Sequence, residues 1–373
     1  MTLTEGKIAR ARSAFGGDRR GKPTATLTEG KIVRARAPLR VGLAGGGSDV
    51  SPFCDQYGGH VLNATIQMFA YAHLEPTETG RVEFVAQDRQ QRFEAAAGAE
   101  FPLEGDLVLH KAVYNRIVGE FRDGRPLSCR LTTVLDAPLG SGLGASSTMV
   151  VAILLAYSEW LGLPLGEYDL ARLAYEIERI DAGLRGGRQD QYAAAFGGFN
   201  FMEFHAGERV VVNPLRVKRS IVRELEASIV LYFTGVNRES ADLIQDQQQR
   251  VARSHGEAIA ATLELKQDAL AMKEALLKGQ MAEIARVLGR SWEAKKRLAA
   301  RITNPQIDAA YEIAIQAGAY SGRISGAGGG GFIIFVVDPR RRFQVVQALQ
   351  ACGGQVFSCF FGEEGAQAWT ACR

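Results

Sequence analysis

The segment Pro138–Thr148 (PLGSGLGASST) carries chemistry in its spacing. Gly140, Gly142 and Gly144 alternate with Ser141 and Leu143, and Ala145, Ser146 and Ser147 then lead into an apolar helical pattern over Met149–Trp160. Such a junction leaves backbone N–H groups without helical acceptors at the positive end of the helix dipole, which suits a phosphate. The small residues in front let an anion approach the backbone closely. The loop lacks the Gly-Lys-Ser/Thr ending of a P-loop, so a nucleotide site of another kind is expected. Ser146 or Ser147 also offers a hydroxyl to Mg²⁺, which takes hard oxygen ligands, if a carboxylate stands nearby.

Candidate carboxylates follow at Glu176, Glu178 and Asp190. Glu176 and Glu178 are separated by about 200° around a helical axis, so only one of them is expected to face a shared site. Asp190 lies between glycines and the small, apolar run Ala193–Gly198, a setting for either a general base or a helix N-cap. Arg185 and Arg188, separated by Gly186 and Gly187, offer planar forks that suit a second phosphate.

Two further glycine-rich segments flank this region. Gly42–Asp49 (GLAGGGSD), with Gly46, Gly47, Ser48 and Asp49 at its end, follows a strand pattern. Gly326–Gly331 (GAGGGG), which includes Gly328 and Gly329, formally fits a dinucleotide fingerprint, but it leads into the strand pattern Phe332–Val337 where that fingerprint requires a helix. Dinucleotide binding is therefore not expected.

The elements that must position these groups alternate in type. Strand patterns recur at Ile32–Arg36, Leu39–Leu43, Val61–Ile66, Phe69–Leu74, Val82–Val85 and Leu127–Leu135, and helical patterns at Met149–Leu161 and Leu170–Ile180. A strand at Ser228–Thr234 opens the second half, followed by helical sequence from Glu239 to Leu298, broken near Gly279, and a helix at Pro305–Ala317. Strand Gly331–Val337, helix Arg341–Ala351 and strand Gln355–Phe361 close the chain. This order predicts an α+β fold in two domains, 26–205 and 206–373. Thr2–Arg12 returns as Thr26–Arg36, identical at ten of eleven positions, and only the second copy enters a strand pattern. Residues 1–25 are expected to be a surplus, mobile extension.

With 46% hydrophobic residues, 23% charged residues and a net charge of +3 over 373 residues, the chain has the composition of a soluble enzyme large enough for two cores. That charge is too small to argue for nucleic acid, and no apolar run is long enough to span a membrane. A cytoplasmic monomer or homodimer is expected. Cys54, Cys129, Cys352, Cys359 and Cys372 show no metal-ligand spacing and read as reduced, structural thiols.

Arg40 with Gly42–Asp49, Pro138–Thr148 and Ser325–Gly331, in that order, resemble the three motifs of the GHMP small-molecule kinases, over residues 31 to 365. Ala37–Val50 (APLRVGLAGGGSDV), Val61–Ile66 (VLNATI) and Gly186–Gly198 (GGRQDQYAAAFGG) look most like the D-glycero-D-manno-heptose 7-phosphate kinases within that superfamily. The resemblance implies an N-terminal half like ribosomal protein S5 and a ferredoxin-like C-terminal half with added helices. It also implies phosphorylation of an anomeric hydroxyl by ATP with Mg²⁺. Under it Asp190 is the base, Arg40 the cation beside it, Glu178 with Ser146 the metal ligands, and Asp49 a sugar-binding residue. A fucokinase-like enzyme and a non-catalytic sugar- and ATP-binding regulator are the alternatives; the presence of Arg40, Glu178 and Asp190 together speaks against the regulator.

Overall fold

Val33, Ala35, Ala37, Leu39, Val41 and Leu43 alternate along the chain and are all buried, the period-two pattern of a strand packed on a core. In the computed structural model they belong to one long strand, β1 (Lys31–Ala44), where the sequence pattern suggests two. Residues 31–207, 209–235, 240–252, 256–299 and 301–372 are described; the first repeat copy and the expected 1–25 extension lie outside them. β2 (Gly59–Pro76) likewise fuses two expected strands, because Ile66 to Phe69 stay extended and pair on both sides of the join.

The first sheet runs β12-β1-β2-β5-β3-β4, with β6 and β7 attached beside β2. Here β3 is Arg81–Ala86, β4 Gln91–Ala96, β5 Cys129–Leu135, β6 Phe199–Phe204, β7 Val210–Pro214 and β12 Gln367–Cys372. The second sheet, in order β11-β8-β10-β9, comprises β8 (Ile229–Phe233), β9 (Ala319–Ile324), β10 (Phe332–Val337) and β11 (Gln355–Ser358), all antiparallel. With helices crossing between β8 and β9 and between β10 and β11, this is the ferredoxin-like arrangement that the resemblance implies.

The expected division at 205/206 falls in the turn between β6 and β7, yet both strands belong to the first sheet. The last strand, β12, also returns to that sheet beside β1. Strand pairing overrides linear order here: a sheet accepts any segment that satisfies its open edge.

Three helices carry or support the chemistry-bearing loops. The helix α1 (Ala145–Leu161) is buried on nearly every side and sits against β1 and β2. Short α2 (Gln189–Phe196) packs on α1. The helix α3 (Met281–Lys296) packs on β9; it begins after Gly279, whose positive φ of 68° breaks the helical run as expected. No described helix is long and apolar enough to cross a membrane.

Over Val33–Arg36 both edges of the second repeat copy are occupied, by β2 and by β12. Deleting residues 1–25 is expected to shift the thermal midpoint by less than about 1 °C, which for a chain of this size corresponds to under about 1 kcal/mol. Thermal denaturation of the full and shortened chains checks this; a larger fall would show that the first copy is packed on the domain.

Candidate active site

The helix α1 begins without a side-chain cap, after Gly144 at φ 80°. Its first-turn N–H groups therefore need an acceptor from elsewhere, and they open into a cavity of about 560 Å³. Leu139 to Gly142, Gly144, Ala145 and Ser146 line this cavity, whereas Pro138, Leu143 and Ser147 support it from behind. The Leu143 carbonyl accepts the Arg40 backbone N–H at 3.1 Å, which ties the loop to β1.

A register shift in the β1–β2 pairing falls between Pro38 and Arg40, where such irregularities re-aim side chains. Arg40 Nε donates to Asp190 Oδ1 at 2.7 Å, and its Nη1 donates to the Gly142 carbonyl at 3.0 Å and to Ser325 Oγ at 3.1 Å. The Arg40 side chain is 5% exposed and that of Asp190 20%, so the carboxylate keeps an open side toward the cavity. Asp190 stands in the first turn of α2, where the helix dipole favours negative charge.

Glu178 is fully buried. It accepts the hydroxyls of Ser146 at 2.7 Å and Ser147 at 2.6 Å, the Gln191 amide at 2.7 Å, and an ion pair from Arg179 at 3.2 Å. Ser146 reaches the cavity wall; Ser147 does not. The segment Glu176–Asp181 widens into a π-helical turn, with the Ala182 N–H bonded to the Ile177 carbonyl at 2.9 Å. Glu176 leaves on the other side, toward Arg116 at 2.9 Å.

Asp49 is 1% exposed. Its Oδ2 accepts the backbone N–H groups of Arg188 and Gln189 at 3.0 and 3.2 Å, and its Oδ1 accepts the Gly47 N–H and the Gln189 amide, both at 3.1 Å. Burial and the neighbouring Asp190 raise its carboxyl above the ordinary range, against the lowering effect of those N–H groups. A Cβ at Gly187 would stand 1.9 Å from Asp49 Oδ2 and one at Gly186 2.2 Å from Arg179 Cζ, so each glycine between the two arginines admits a close approach of its own. Gly46, Gly47 and Asp49 line the cavity, while Ser48 Oγ turns inward to the Gly45 and His60 carbonyls.

The two arginines separate. Arg185 is exposed at the cavity edge, whereas the Arg188 guanidinium is buried outside the lining, paired with Asp55 at 3.1 Å. Gly328 and Gly329 also stand back from the lining; Gly329 N–H bonds the Ile302 carbonyl at 2.7 Å. Ser325, Gly326 and Ala327 are the lining residues of the third loop.

Sequence reasoning misses Arg179, Gln191, Lys295 and Arg323. Arg179 and Gln191 lie one and thirteen positions from Glu178 with no motif of their own. Lys295 and Arg323 come from α3 and β9, and both line the cavity. None of the five cysteines forms a disulfide, and burial pushes the Cys54 and Cys129 thiols up to about 11 and about 12, so these two are packing residues.

The arrangement joins an anion cradle to a carboxylate held by a cation. The GHMP kinases N terminal domain matches residues 109–198, and GHMP kinases C terminal matches 272–355. The chain is 47% identical to D-glycero-alpha-D-manno-heptose 7-phosphate kinase of Campylobacter jejuni over 332 residues, 89% of this chain and 97% of that one. It is 49% identical to the solved D-glycero-D-manno-heptose 1-phosphate kinase of Bacteroides thetaiotaomicron, with a TM-score of 0.78 over 90% of this chain and 98% of the other. Similarity to L-fucokinase/L-fucose-1-P guanylyltransferase of Bacteroides fragilis is lower, 25% over 84% of this chain and 35% of that protein.

A Cβ on Gly144 would meet Asp190 Cγ at 3.1 Å and force a side chain into positive φ. Gly144→Ala is expected to lower kcat at least tenfold by displacing the carboxylate, with the thermal midpoint reduced by a few degrees for the strained backbone. Steady-state kinetics and thermal denaturation of the variant check both; unchanged kcat would mean that Asp190 tolerates the displacement.

Proposed function

The chain belongs to the GHMP kinases, and from that premise we propose that it transfers the terminal phosphoryl group of ATP to the anomeric hydroxyl of D-glycero-D-manno-heptose 7-phosphate. The observation that carries this reading is the Arg40–Asp190 pair, opening beside the uncapped start of α1. The relatives near 47–49% identity are heptose phosphate kinases, whereas the fucokinase relative stands at 25%. A place in the cytoplasm, beside its supply of ATP, fits this activity.

The residues divide the work. Asp190 takes the proton of the anomeric hydroxyl on its open side while Arg40 fixes its other face. The freed oxygen forms the new bond to phosphorus; the bond to the bridging oxygen breaks, and that oxygen leaves with the electron pair as part of ADP. Arg40 and the N–H groups at the start of α1 oppose the negative charge gathered around this transfer. An anomeric hydroxyl is more acidic than an ordinary alcohol, so an aspartate suffices as base.

Mg²⁺ fits the donor set. Ser146 and Glu178 supply hard oxygens at the wall and just behind it, a small donor set that suits an ion keeping waters and substrate phosphates as its remaining ligands. Bound there, the ion would neutralise phosphate charge.

The reading is tested by offering sugars and sugar phosphates with ATP and locating the new phosphate by phosphorus NMR. A 1,7-bisphosphate is expected from the heptose 7-phosphate. Asp190→Asn is expected to lower its formation by about a hundredfold or more with ATP binding retained; near-normal turnover would remove Asp190 as the base. A separate titration concerns the metal. Glu178→Gln is expected to raise the Mg²⁺ concentration for half-maximal activity severalfold, and Glu176→Gln to leave it within about twofold. Equal effects would overturn the assignment of Glu178.

A further inference from the structure

The cavity floor holds more positive charge than its carboxylates answer. Arg40 is engaged by Asp190. Among the described residues Lys295, 3% exposed, reaches only the carbonyls of Ile324 and Gly326. Burial, reinforced by Arg323 and Arg40, holds its ammonium well below the ordinary lysine range. Arg323 is 2% exposed, and its Nε and Nη1 are buried with no hydrogen-bond partner among the described residues. Burial pushes its guanidinium down to about 10.

Two neighbouring acids among the described residues are committed elsewhere. Asp49 is committed to Gly47, Arg188 and Gln189, and Asp268 to Arg290 and Ser291. A buried guanidinium without acceptors is costly, and such a group in a native fold calls for a ligand that completes it. The first glycine loop leaves the way open. A Cβ on Gly46 would stand 3.9 Å from Arg323 Nη2 and 3.5 Å from Gln189 Nε2, so the missing side chain is what lets the cavity reach the guanidinium.

We propose that Arg323, assisted by Lys295, receives the phosphate that the sugar substrate itself carries, in the part of the cavity bounded by Gly46 and Gln189. The proposal rests on the sugar phosphate reading of the function. It also supplies the anchor that Arg188, paired with Asp55 outside the lining, does not. Arginine's planar fork suits phosphate oxygens, and a second cation beside it matches a group of nearly two negative charges. The nucleotide's phosphates have their own cradle at the start of α1, formed by a different loop.

The test compares kcat/KM for D-glycero-D-manno-heptose 7-phosphate and for the free heptose in the full chain and its variants. Arg323→Met is expected to lower the value for the 7-phosphate by about 30- to 150-fold, the loss of one charge-assisted contact, and so to collapse the preference over the free sugar. Arg323→Lys is expected to recover part of it. The KM for ATP is expected to stay within about twofold. Should Arg323→Met fail to fold, Gly46→Glu carries the test. Its site has ordinary contact distances, and its carboxylate would occupy the guanidinium in place of the substrate phosphate; the preference is expected to collapse without a fall in thermal midpoint. A raised KM for ATP in Arg323→Met, in place of the lost preference, would mean that the nucleotide's phosphate sits there and would overturn the proposal. A preference surviving in either folded variant would overturn it as well. If the unaltered chain uses the free heptose as well as the 7-phosphate, the sugar phosphate reading itself falls, whatever the variants do.

Discussion

Arg40 is the joint of this molecule. One guanidinium binds the Asp190 carboxylate from α2, the Gly142 carbonyl from the loop before α1, and Ser325 Oγ from the loop after β9. Its own backbone N–H holds Leu143. Removing one partner of a buried ion pair costs about 3–5 kcal/mol, and the lower end applies here because Asp190 keeps 20% of its side chain exposed. The same exposure lets the carboxylate act on a ligand. Full burial would make a firmer joint and close the carboxylate to the cavity; full exposure would leave α2 and two loops without a common anchor.

The second and third glycine loops meet backbone to backbone around that joint. A Cβ on Gly326 would stand 2.8 Å from Gly142 Cα, and both residues have positive φ. Contact at this distance excludes side chains, so the two halves of the fold are fastened by the absence of atoms as much as by their presence. The fastening sets the position of Ser325, and through it one face of Arg40. Glycines that read in the sequence as freedom for a ligand thus serve in part to bring protein backbone against protein backbone.

The sequence is most legible where one segment carries its own signal. The apolar run after Ser147 announces α1, Asn304–Pro305 announces the helix that begins at Pro305 with the Asn304 side chain capping Ile307, and Gly279 announces a break. Strand β12 is illegible because QAWTAC lacks alternation and is half exposed; it becomes a strand only because β1 offers it an edge. Strand β9 escapes for a related reason: AYSGRI has polar and small residues whose burial is decided by α3 and β10, outside the segment itself. The Arg40–Asp190 pair is readable through its motifs, since each residue sits in a recognisable string. Arg323 and Lys295 are not, because their meaning arises only where β9 and α3 bring two cations to one cavity, Arg323 beside Gly46. Arg188 shows the converse error: nearness to Asp190 in sequence is not nearness to the cavity when the helix start between them turns the side chain toward Asp55.

The distribution of charge around the cavity follows one rule. Asp190, Glu178 and Asp49 are each held by N–H or O–H donors of the chain itself: Asp190 by Arg40, Glu178 by two serines, Gln191 and Arg179, Asp49 by backbone and Gln189. Arg40 and Arg179 are matched in return, but Arg323 keeps orphaned donors among the described residues and α1 starts without a side-chain cap. A fold optimised for stability alone would supply acceptors of its own at these positions. Leaving the donors free and the acceptors satisfied makes the site complementary to a ligand that brings oxygens and negative charge. Such a ligand stabilises the folded chain in proportion to how well it completes the set, so under the proposed assignment the donors that the chain leaves unanswered would favour phosphate groups over neutral sugars.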